Sequence, residues 1–390
     1  MFAAALVLAP VASSLAGIQT TASATGQYQH NSNVFDLPSG FSLPGTDAGH
    51  RGDSFYAYGA TFGLDDLWQQ QKVFLKLTDT EFRYDHFTTL DHNEYNLNGG
   101  LNWKLGTQYD GSLEVARIRT MLAFIDLTPA AQTQLQLPIQ TEQREFAKIG
   151  YLFSPDWRIE GEAYRRGVDE PLVATPDLHL NETFGELALK YIGRARLTSG
   201  LSAGYLSGAY SGSTEAANPS YKQNNFDLVA SYQPTVKTTL IGQVGYSKRK
   251  SATGVNDVGG ITGQAEYRNQ LTAKSSVDLV LSRSINSYIA NAGSEIDSVA
   301  TLNMNWQATY KIGVSAGYSY TYRAVPNQGV AAITSGFYRQ QYASLNIDYE
   351  VFRWLAIKPY VNVQTRTSDI PAGKFNATVY GINVTVQSFR

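Results

Sequence analysis

Apolar and polar residues alternate one by one along most of the chain. In segment 95–103 the odd positions hold Tyr, Leu, Gly or Trp and the even positions hold Asn or Gly; segments 300–307 and 312–322 repeat the alternation. Successive side chains of a β-strand point to opposite faces, so each such strand has one apolar and one polar face. The polar face holds mostly Asn, Ser, Thr, Gln and Gly, as a wet interior requires. The pattern therefore predicts an all-β fold, a transmembrane antiparallel up-and-down β-barrel.

The chain contains about eighteen segments of this kind, each close to the ~10 residues that a tilted membrane strand needs. The predicted strands are 18–30, 53–64, 70–83, 92–104, 111–122, 142–153, 157–167, 179–191, 196–209, 222–233, 237–249, 258–269, 275–286, 298–309, 311–323, 338–350, 354–366 and 375–388. The alternation slips within 70–83 and 111–122, which predicts a bulge or a misplaced boundary in each.

The predicted connections alternate between short turns and long polar links. Short turns are predicted at 65–67, 106–108, 154–156, 193–195, 234–235, 271–273 and 351–353, and the strands near 310 join almost directly. Outer-membrane barrels of bacteria have short periplasmic turns and long external loops, with both termini in the periplasm. Each short turn is also flanked by an aromatic residue, as expected for one interfacial belt: Trp68, Trp103, Phe153, Trp157, Tyr191, Tyr232, Tyr267, Tyr310 and Trp354. The predicted location is the bacterial outer membrane.

Composition removes several other classes of protein. The absence of Cys excludes disulfides and thiolate metal sites, and the net charge of −2 offers no general attraction to nucleic acid. After residue 20 no run is apolar enough for a membrane helix. Residues 1–12 resemble the apolar core of a secretory signal, and Ser14-Leu15-Ala16 fits the small-x-small cleavage rule. Residues 1–16 are therefore interpreted as a signal-peptide remnant and 17–390 as one barrel domain; cleavage at Ala22-Ser23-Ala24 would remove most of the first strand.

The segment after the first strand, Asn31-Ser32-Asn33-Val34-Phe35-Asp36-Leu37-Pro38, carries a family resemblance. It resembles the D-x-N-[LV]-[FY]-R-L-P stretch of EpsL-type barrels, outer-membrane proteins linked to exosortase-associated polysaccharide biosynthesis. Asn31 stands where Asp is usual and Asp36 where Arg is usual, and a generic first external loop is the other interpretation. The resemblance implies an exit route for a secreted polysaccharide, with that glycan and periplasmic polysaccharide-export components as partners.

Alternation also assigns the side chains that line the lumen. The predicted lumen and substrate-path residues are Lys148, Arg158, Glu160, Glu162, Tyr164, Arg166, Glu186, Lys190, Asp227, Gln243, Gln264, Glu266, Lys358, Tyr360 and Asn362. These residues either hydrate and brace the wall or contact the solute, with Tyr164 and Tyr360 stacking on sugar rings. Positive and negative charges are nearly balanced, which favours a neutral or weakly charged glycan over a strongly anionic polymer.

Two long links are candidates for narrowing the lumen. Link 123–141 contains Thr128-Pro129 before a helix-forming run, a helix-start signal. Link 31–52 is too apolar for a freely solvated loop. The alternative for both links is an external loop that packs on its neighbours.

Enzymatic interpretations have little support. The five His residues all fall on or beside the external side, and the best catalytic or metal set is His86 and His92 near Asp85 and Asp91. One six-residue spacing in a loop is weak evidence, and no Gly-rich phosphate loop is present. We therefore expect no enzyme activity, no metal and no cofactor.

The leading hypothesis is a passive pore for polysaccharide export, with a lumen constricted by loops. The alternative is a general or sugar-specific diffusion porin. A barrel enzyme, the third hypothesis, would need a Ser–His or Asp–His pair. Expected partners are outer-membrane lipid and the barrel-assembly machinery.

The last predicted strand carries a candidate assembly signal, Phe389. Phe389 stands on the opposite parity to Tyr380, Ile382, Val384 and Val386. We predict a kink after Val386 that turns Phe389 outward as an assembly signal.

Overall fold

Eighteen antiparallel strands make up almost all of the residues that the computed structural model describes. The described residues are 18–38, 51–124, 137–170, 178–193, 196–211, 220–252, 254, 257–288, 293–325, 336–369 and 373–388. The strands are β1 (Ile18–Asn31), β2 (Asp53–Trp68), β3 (Gln71–Tyr84), β4 (His92–Leu105), β5 (Tyr109–Met121), β6 (Ile139–Ser154), β7 (Trp157–Glu170), β8 (Leu178–Ile192), β9 (Leu197–Ser211), β10 (Tyr221–Thr235), β11 (Thr238–Ser251), β12 (Val258–Thr272), β13 (Ser275–Tyr288), β14 (Gly293–Gln307), β15 (Ile312–Val325), β16 (Gly336–Phe352), β17 (Leu355–Ser368) and β18 (Phe375–Gln387). One 3₁₀ helix, Thr88–Leu90, lies between β3 and β4.

The sheet closes on itself. Every strand pairs with the next one along the chain, and β18 pairs with β1 from Ser23↔Gln387 to Asn31↔Val379. A closed barrel leaves no unpaired sheet edge, which is the condition for a β-structure to cross a lipid bilayer. The predicted fold class and strand count are therefore confirmed. Within the described residues, no helix has the length and apolar character needed to cross a bilayer.

Strand ends differ from the prediction by a few residues. β2 continues through Asp65 and Asp66 to Trp68, so the turn predicted at 65–67 lies at 69–70 instead. Asp65 and Asp66 pair with both β1 and β3 as strand residues, and Asp65 also forms an exposed ion pair with Lys72 across the hairpin at 2.9 Å. Gly106, with φ of +63°, is correctly placed in the turn between β4 and β5, a conformation that glycine adopts without steric cost.

Of the two alternatives predicted for β3 and β5, a bulge is wrong, and the strand boundaries instead differ from the predicted ones by one or two residues. β3 pairs with β2 without interruption from Gln71 to Tyr84, and β5 pairs with β6 in continuous register. The alternation slips because outward positions near the external ends of these strands are charged, as at Asp79 and Arg117. Those positions lie beyond the apolar band, where an outward charge is tolerated.

The outward face is apolar and exposed. Large apolar side chains such as Leu187, Phe226 and Ile261 are each more than half exposed on this face. Aromatic residues beside the short turns are exposed as well, including Trp68 at 72% and Tyr310 at 85%. The eight short turns span two to four residues, whereas eight of the nine links at the other end span six residues or more. The barrel therefore lies in the bacterial outer membrane, with its short turns on the periplasmic side.

Three sequence predictions fall outside the described residues. These are the signal-peptide remnant at 1–16, most of the helix-start segment after Thr128, and the outward turn of Phe389. The described part of β18 ends beside β1, where the Ser388 amide donates to the Ala22 carbonyl at 2.8 Å.

Candidate channel lumen

All fifteen predicted lumen residues face the interior of the barrel. The register shows this directly, because each lies on the parity opposite to the exposed apolar side chains of its strand. Lys148, for example, faces Glu162 across the β6–β7 pair, while the adjacent Ile149 is half exposed on the outside. A barrel of eighteen strands is wide enough to leave an aqueous interior. The described wall is thus lined by the side chains that alternation predicts to face inward.

One group of lumen charges lies on β5, β6, β7 and β8. Arg158 donates to Asp110 through two guanidinium nitrogens, at 2.8 and 2.5 Å, and to Glu160 at 2.7 Å. Glu160 also forms ion pairs with Lys190 and Lys148, with distances of 2.5 and 3.2 Å from the lysine Nζ atoms to its Oε2. Cross-strand ion pairs therefore brace this part of the wall, and each charge has an opposite charge beside it.

A second group lies closer to the external end of the same wall. Arg166 donates to Glu142 at 2.8 Å and to Glu182 at 3.1 Å. Glu182 is almost fully buried and also accepts hydrogen bonds from Tyr221 and from Ser287, the latter at 3.0 Å. Farther round the barrel, ion pairs join Arg323 to Asp297, Arg268 to Glu266 and Lys358 to Asp348.

The two predicted sugar-stacking tyrosines have different surroundings. Tyr164 stacks on Phe184 with ring centroids 5.0 Å apart, and the Arg144 guanidinium lies 5.1 Å from its ring centre. The Tyr360 hydroxyl donates to Gln29 at 2.5 Å and accepts from Gln27 at 2.6 Å. Tyr164 therefore packs within the wall, whereas Tyr360 belongs to a polar cluster that joins β17 to β1.

The segment after β1 folds into the barrel. The side chain of Asn33 holds it in place by donating to the carbonyls of Leu37 and Asn376, at 2.9 and 3.1 Å, and by accepting from the Leu37 amide at 3.0 Å. The Val34 amide donates to the Arg51 carbonyl at 2.8 Å. The apolar link predicted to narrow the lumen is thus anchored against the wall by its own Asn. We call residues 33–37 the first insert.

The first insert is built on apolar packing. Phe35 is only 3% exposed and makes edge contacts with Phe87 and Phe124, at centroid distances of 4.7 and 4.8 Å. The same cluster includes Phe55 and Tyr84, which face inward from β2 and β3. Phe124 and Leu137, at the two ends of the third external link, also join it. The first insert therefore covers the inner wall over β2 and β3 near the external end.

A second insert enters from the other side. β12 and β13 pair from Thr272↔Ser275 only as far as Gly263↔Arg283, although β12 begins at Val258 and β13 continues to Tyr288. Beyond this point β13 stays paired with β14, up to Tyr288↔Gly293. The upper β13–β14 hairpin has therefore separated from β12. We call residues 284–288 and 293–297 of this hairpin the second insert.

Two arginines donate hydrogen bonds to backbone carbonyls on the strand edges that are no longer paired after this separation. Arg283 donates to the Ile261 carbonyl of β12 at 3.2 Å, and Arg249 donates to the Ile285 carbonyl of β13 at 3.3 Å. An unbonded backbone carbonyl at membrane depth is costly, so these contacts stabilise the separated strands. Arg249 is 1% exposed and also donates to Gln223 and Ser287, at 2.8 and 3.0 Å.

The second insert reaches far across the lumen. Ser287 of β13 bonds to Glu182 of β8, and five strand steps separate these strands along the wall. At ~4.8 Å per step the wall distance is roughly 24 Å, far more than the Ser and Glu side chains can bridge. The hairpin must therefore lean inward. It contacts β8, β10 and β11, nearly opposite the first insert on β2 and β3.

Sequence reasoning missed the residues that hold the second insert. Glu182 and Arg249 fall within predicted strands on the inward parity, so alternation could have found them. Ser287 lies one residue past the predicted end of its strand, and no local pattern indicates that this hairpin turns inward.

His86 and His92, the two histidines of the candidate set, have structural partners. His86 Nδ1 lies 2.9 Å from an Asp53 carboxylate oxygen, and His92 Nδ1 lies 2.6 Å from the Leu90 carbonyl. His92 also stacks on Phe82 at 4.7 Å. These contacts fasten the link between β3 and β4. Across the described ranges, no three His, Asp or Glu side chains are grouped so as to hold a metal ion.

No known family model and no curated protein matches the sequence. Among solved structures, the chain is similar to OccK9 (OpdG) of Pseudomonas aeruginosa at 11% identity, over 95% of this chain and 98% of that chain, with a TM-score of 0.49. OpdK of the same organism with vanillate gives 10% identity, coverage of 95% and 99%, and a TM-score of 0.48. The siderophore receptor PirA of Pseudomonas aeruginosa is 9% identical over 95% of this chain and 80% of that chain, with a TM-score of 0.47. Function must therefore be inferred from the lumen itself.

Proposed function

We propose that this protein is a passive diffusion channel for small hydrophilic solutes across the outer membrane. The observation that carries the proposal is the pair of inserts, which enter the external half of the lumen from nearly opposite walls. A wide barrel narrowed in this way passes solutes by size and does not need a dedicated energy source.

The fixed packing of the first insert favours small solutes over a polymer. A hydrated polysaccharide needs a continuous bore along the whole lumen. Phe35, Leu37 and Asn33 are all buried in this part of the lumen, and their contacts would have to break to widen it. The channel is therefore expected to sort solutes at its external half.

The charges of the wall favour weak charge selectivity. Arg158, Arg166 and Arg323 each contact carboxylates, so neither sign dominates the described wall. A pore for strongly charged solutes usually presents rings of one sign. Neutral and zwitterionic solutes fit this lining best.

The test uses purified protein in planar bilayers and in liposomes. We expect steady ion conductance and liposome swelling with monosaccharides and disaccharides, with rates that fall steeply as sugar size increases. Absence of conductance would overturn the channel, and passage of long oligosaccharides at the same rate would overturn the size limit.

Polysaccharide export is the second candidate function. It rests on the resemblance of residues 31–38 to EpsL-type barrels, and the hydroxyl and amide cluster of Tyr360, Gln27 and Gln29 would suit sugar hydroxyls. Deleting the gene in its host separates the two candidates. Loss of secreted polysaccharide with unchanged uptake of small sugars would favour export, and the reverse result would favour diffusion.

A further inference from the structure

The external rim of β10 and β11 carries three outward lysines. Lys222 and Lys250 face each other across the strand pair, and Lys248 faces Asn224 one step closer to the membrane. All three are exposed and lie on the same parity as Phe226 and Tyr246, which are each more than half exposed on the outer face. The lysines therefore point away from the lumen, just above the apolar band.

Within the described ranges, these lysines lack the acidic neighbours that Arg83 and Arg165 have. No carboxylate in the described ranges lies within ion-pair distance of them, whereas Arg83 on β3 contacts Glu81 and Asp91. Arg165 on β7 faces Glu145 across its strand pair. Like charges directly opposite each other in a sheet repel, so Lys222 and Lys250 favour an external anion between them.

An apolar groove lies directly below the lysines on the outer face. It has a volume of ≈ 750 Å³ and extends from β7 to β11, with Ala203, Phe226, Leu228, Val244 and Tyr246 among its lining residues. Ala203 is the small residue opposite Phe226, so the wall is recessed at this point. A groove of this kind accommodates hydrocarbon chains of the surrounding leaflet.

We propose that the lysines and the groove together bind a lipid of the outer leaflet that carries phosphate on its headgroup. The phosphate lies among Lys222, Lys248 and Lys250, and an acyl chain lies in the groove over Ala203, between Leu187 and Phe226. Lysine is a common phosphate ligand, and the attraction is strengthened near a membrane surface. This site is on the outside of the wall and is independent of the proposed channel function.

The experiment measures binding of purified full-length protein to detergent micelles that contain phosphorylated lipid A, with dephosphorylated lipid A and inorganic phosphate as comparison probes. The triple variant K222E/K248E/K250E should bind the phosphorylated lipid roughly 100-fold more weakly, as expected from about three lysine contacts at a membrane surface. Filling the groove with Ala203→Trp should weaken lipid binding and leave phosphate binding unchanged.

A matched control is available at the mixed part of the rim. The triple variant R117E/R119E/R165E changes the net charge by the same amount and should retain the affinity of the parent. Heat-modifiability on electrophoresis checks that each variant is folded. Equal binding of the lysine variant and the parent, or equal binding of phosphorylated and dephosphorylated lipid, would overturn the proposal. Equal loss in both triple variants would indicate only a net-charge effect, and tight binding of inorganic phosphate alone would exclude a lipid ligand.

Discussion

The two inserts narrow the same lumen by different physical means. The first is a short irregular segment whose Phe35 and Leu37 are buried in an apolar cluster. The second is a strand hairpin that is held by charged and hydroxyl groups, chiefly Arg249, Glu182 and Ser287. One is fastened by packing and the other by polar contacts that cross the lumen.

The difference indicates which insert can move. Apolar burial in the first insert is not screened by salt, and releasing it would expose several aromatic rings at once. The contacts of the second insert involve ions, whose mutual attraction is offset by the cost of removing them from water. Its strands also lack pairing with β12 above Gly263. We therefore expect the first insert to be a fixed part of the constriction and the second to be its adjustable part.

The largest effect is expected from Phe35→Ala in the first insert. Removing a buried Phe side chain typically costs about 3–5 kcal/mol, enough to release a short segment from the wall. We expect a higher single-channel conductance and faster liposome swelling with disaccharides. The control is Phe153→Ala, which removes an exposed ring from the outer face. Unchanged conductance in Phe35→Ala would show that the first insert does not limit passage.

The next effect is expected from Glu182→Gln in the second insert. Glu182 accepts from Arg166, Tyr221 and Ser287, and hydrogen bonds to a charged group contribute about 1.5–3 kcal/mol. Neutralising it should loosen the hairpin, so we expect more frequent conductance fluctuations in bilayer recordings, with a mean conductance above that of the parent.

Glu162→Gln is the matched control, because Glu162 also faces the lumen and forms no ion pair in the described residues. It should leave the fluctuations as they are in the parent. If the conductance of Glu182→Gln fluctuates no more often than that of the parent, the second insert is as firmly held as the first, and the proposed difference between the two inserts is wrong.

Much of the barrel could be predicted from the sequence because strand alternation is a local property. Segments such as 95–103 show their period over a few residues, so the strand count and the lumen parity of Lys148 and Tyr360 follow directly. Strand ends were less predictable. Asp65 and Asp66 look like a turn, yet they continue β2 by pairing with both β1 and β3, and no local pattern reveals this pairing.

The constriction could be predicted only in part. The first insert was found because its apolar residues, Phe35 and Leu37, stand out in a loop. The second insert has no such mark: residues 284–288 are Ser, Ile, Asn, Ser and Tyr, which suit a wall strand equally well. Its inward lean depends on contacts with Arg249 and Glu182, which are distant in sequence. Local alternation carries no information about such contacts.

The comparison can be sharpened below the inserts, where Arg158 neutralises two carboxylates. Replacing it with Gln leaves Asp110 and Glu160 with one fewer cation, although Lys148 and Lys190 still contact Glu160. We expect a shift of the reversal potential in a KCl gradient toward cation selectivity, with conductance close to that of the parent. A shift toward anions would contradict the assignment of these side chains to the solute path.

The smallest effect is expected from the Tyr360 hydroxyl, whose hydrogen bonds go to β1 and not to either insert. Tyr360 on β17 bonds to Gln27 and Gln29 on β1, so it bridges over β18 at the closure of the barrel. Tyr360→Phe removes these contacts and keeps the ring, which should lower the free energy of unfolding by about 1 kcal/mol. Tyr164→Phe is the control, because Tyr164 packs through its ring against Phe184. The measurement is the urea dependence of the heat-modifiable folded fraction. If both variants unfold at the same urea concentration as the parent, the hydroxyl does not brace the closure, and Tyr360 is left free to contact a sugar.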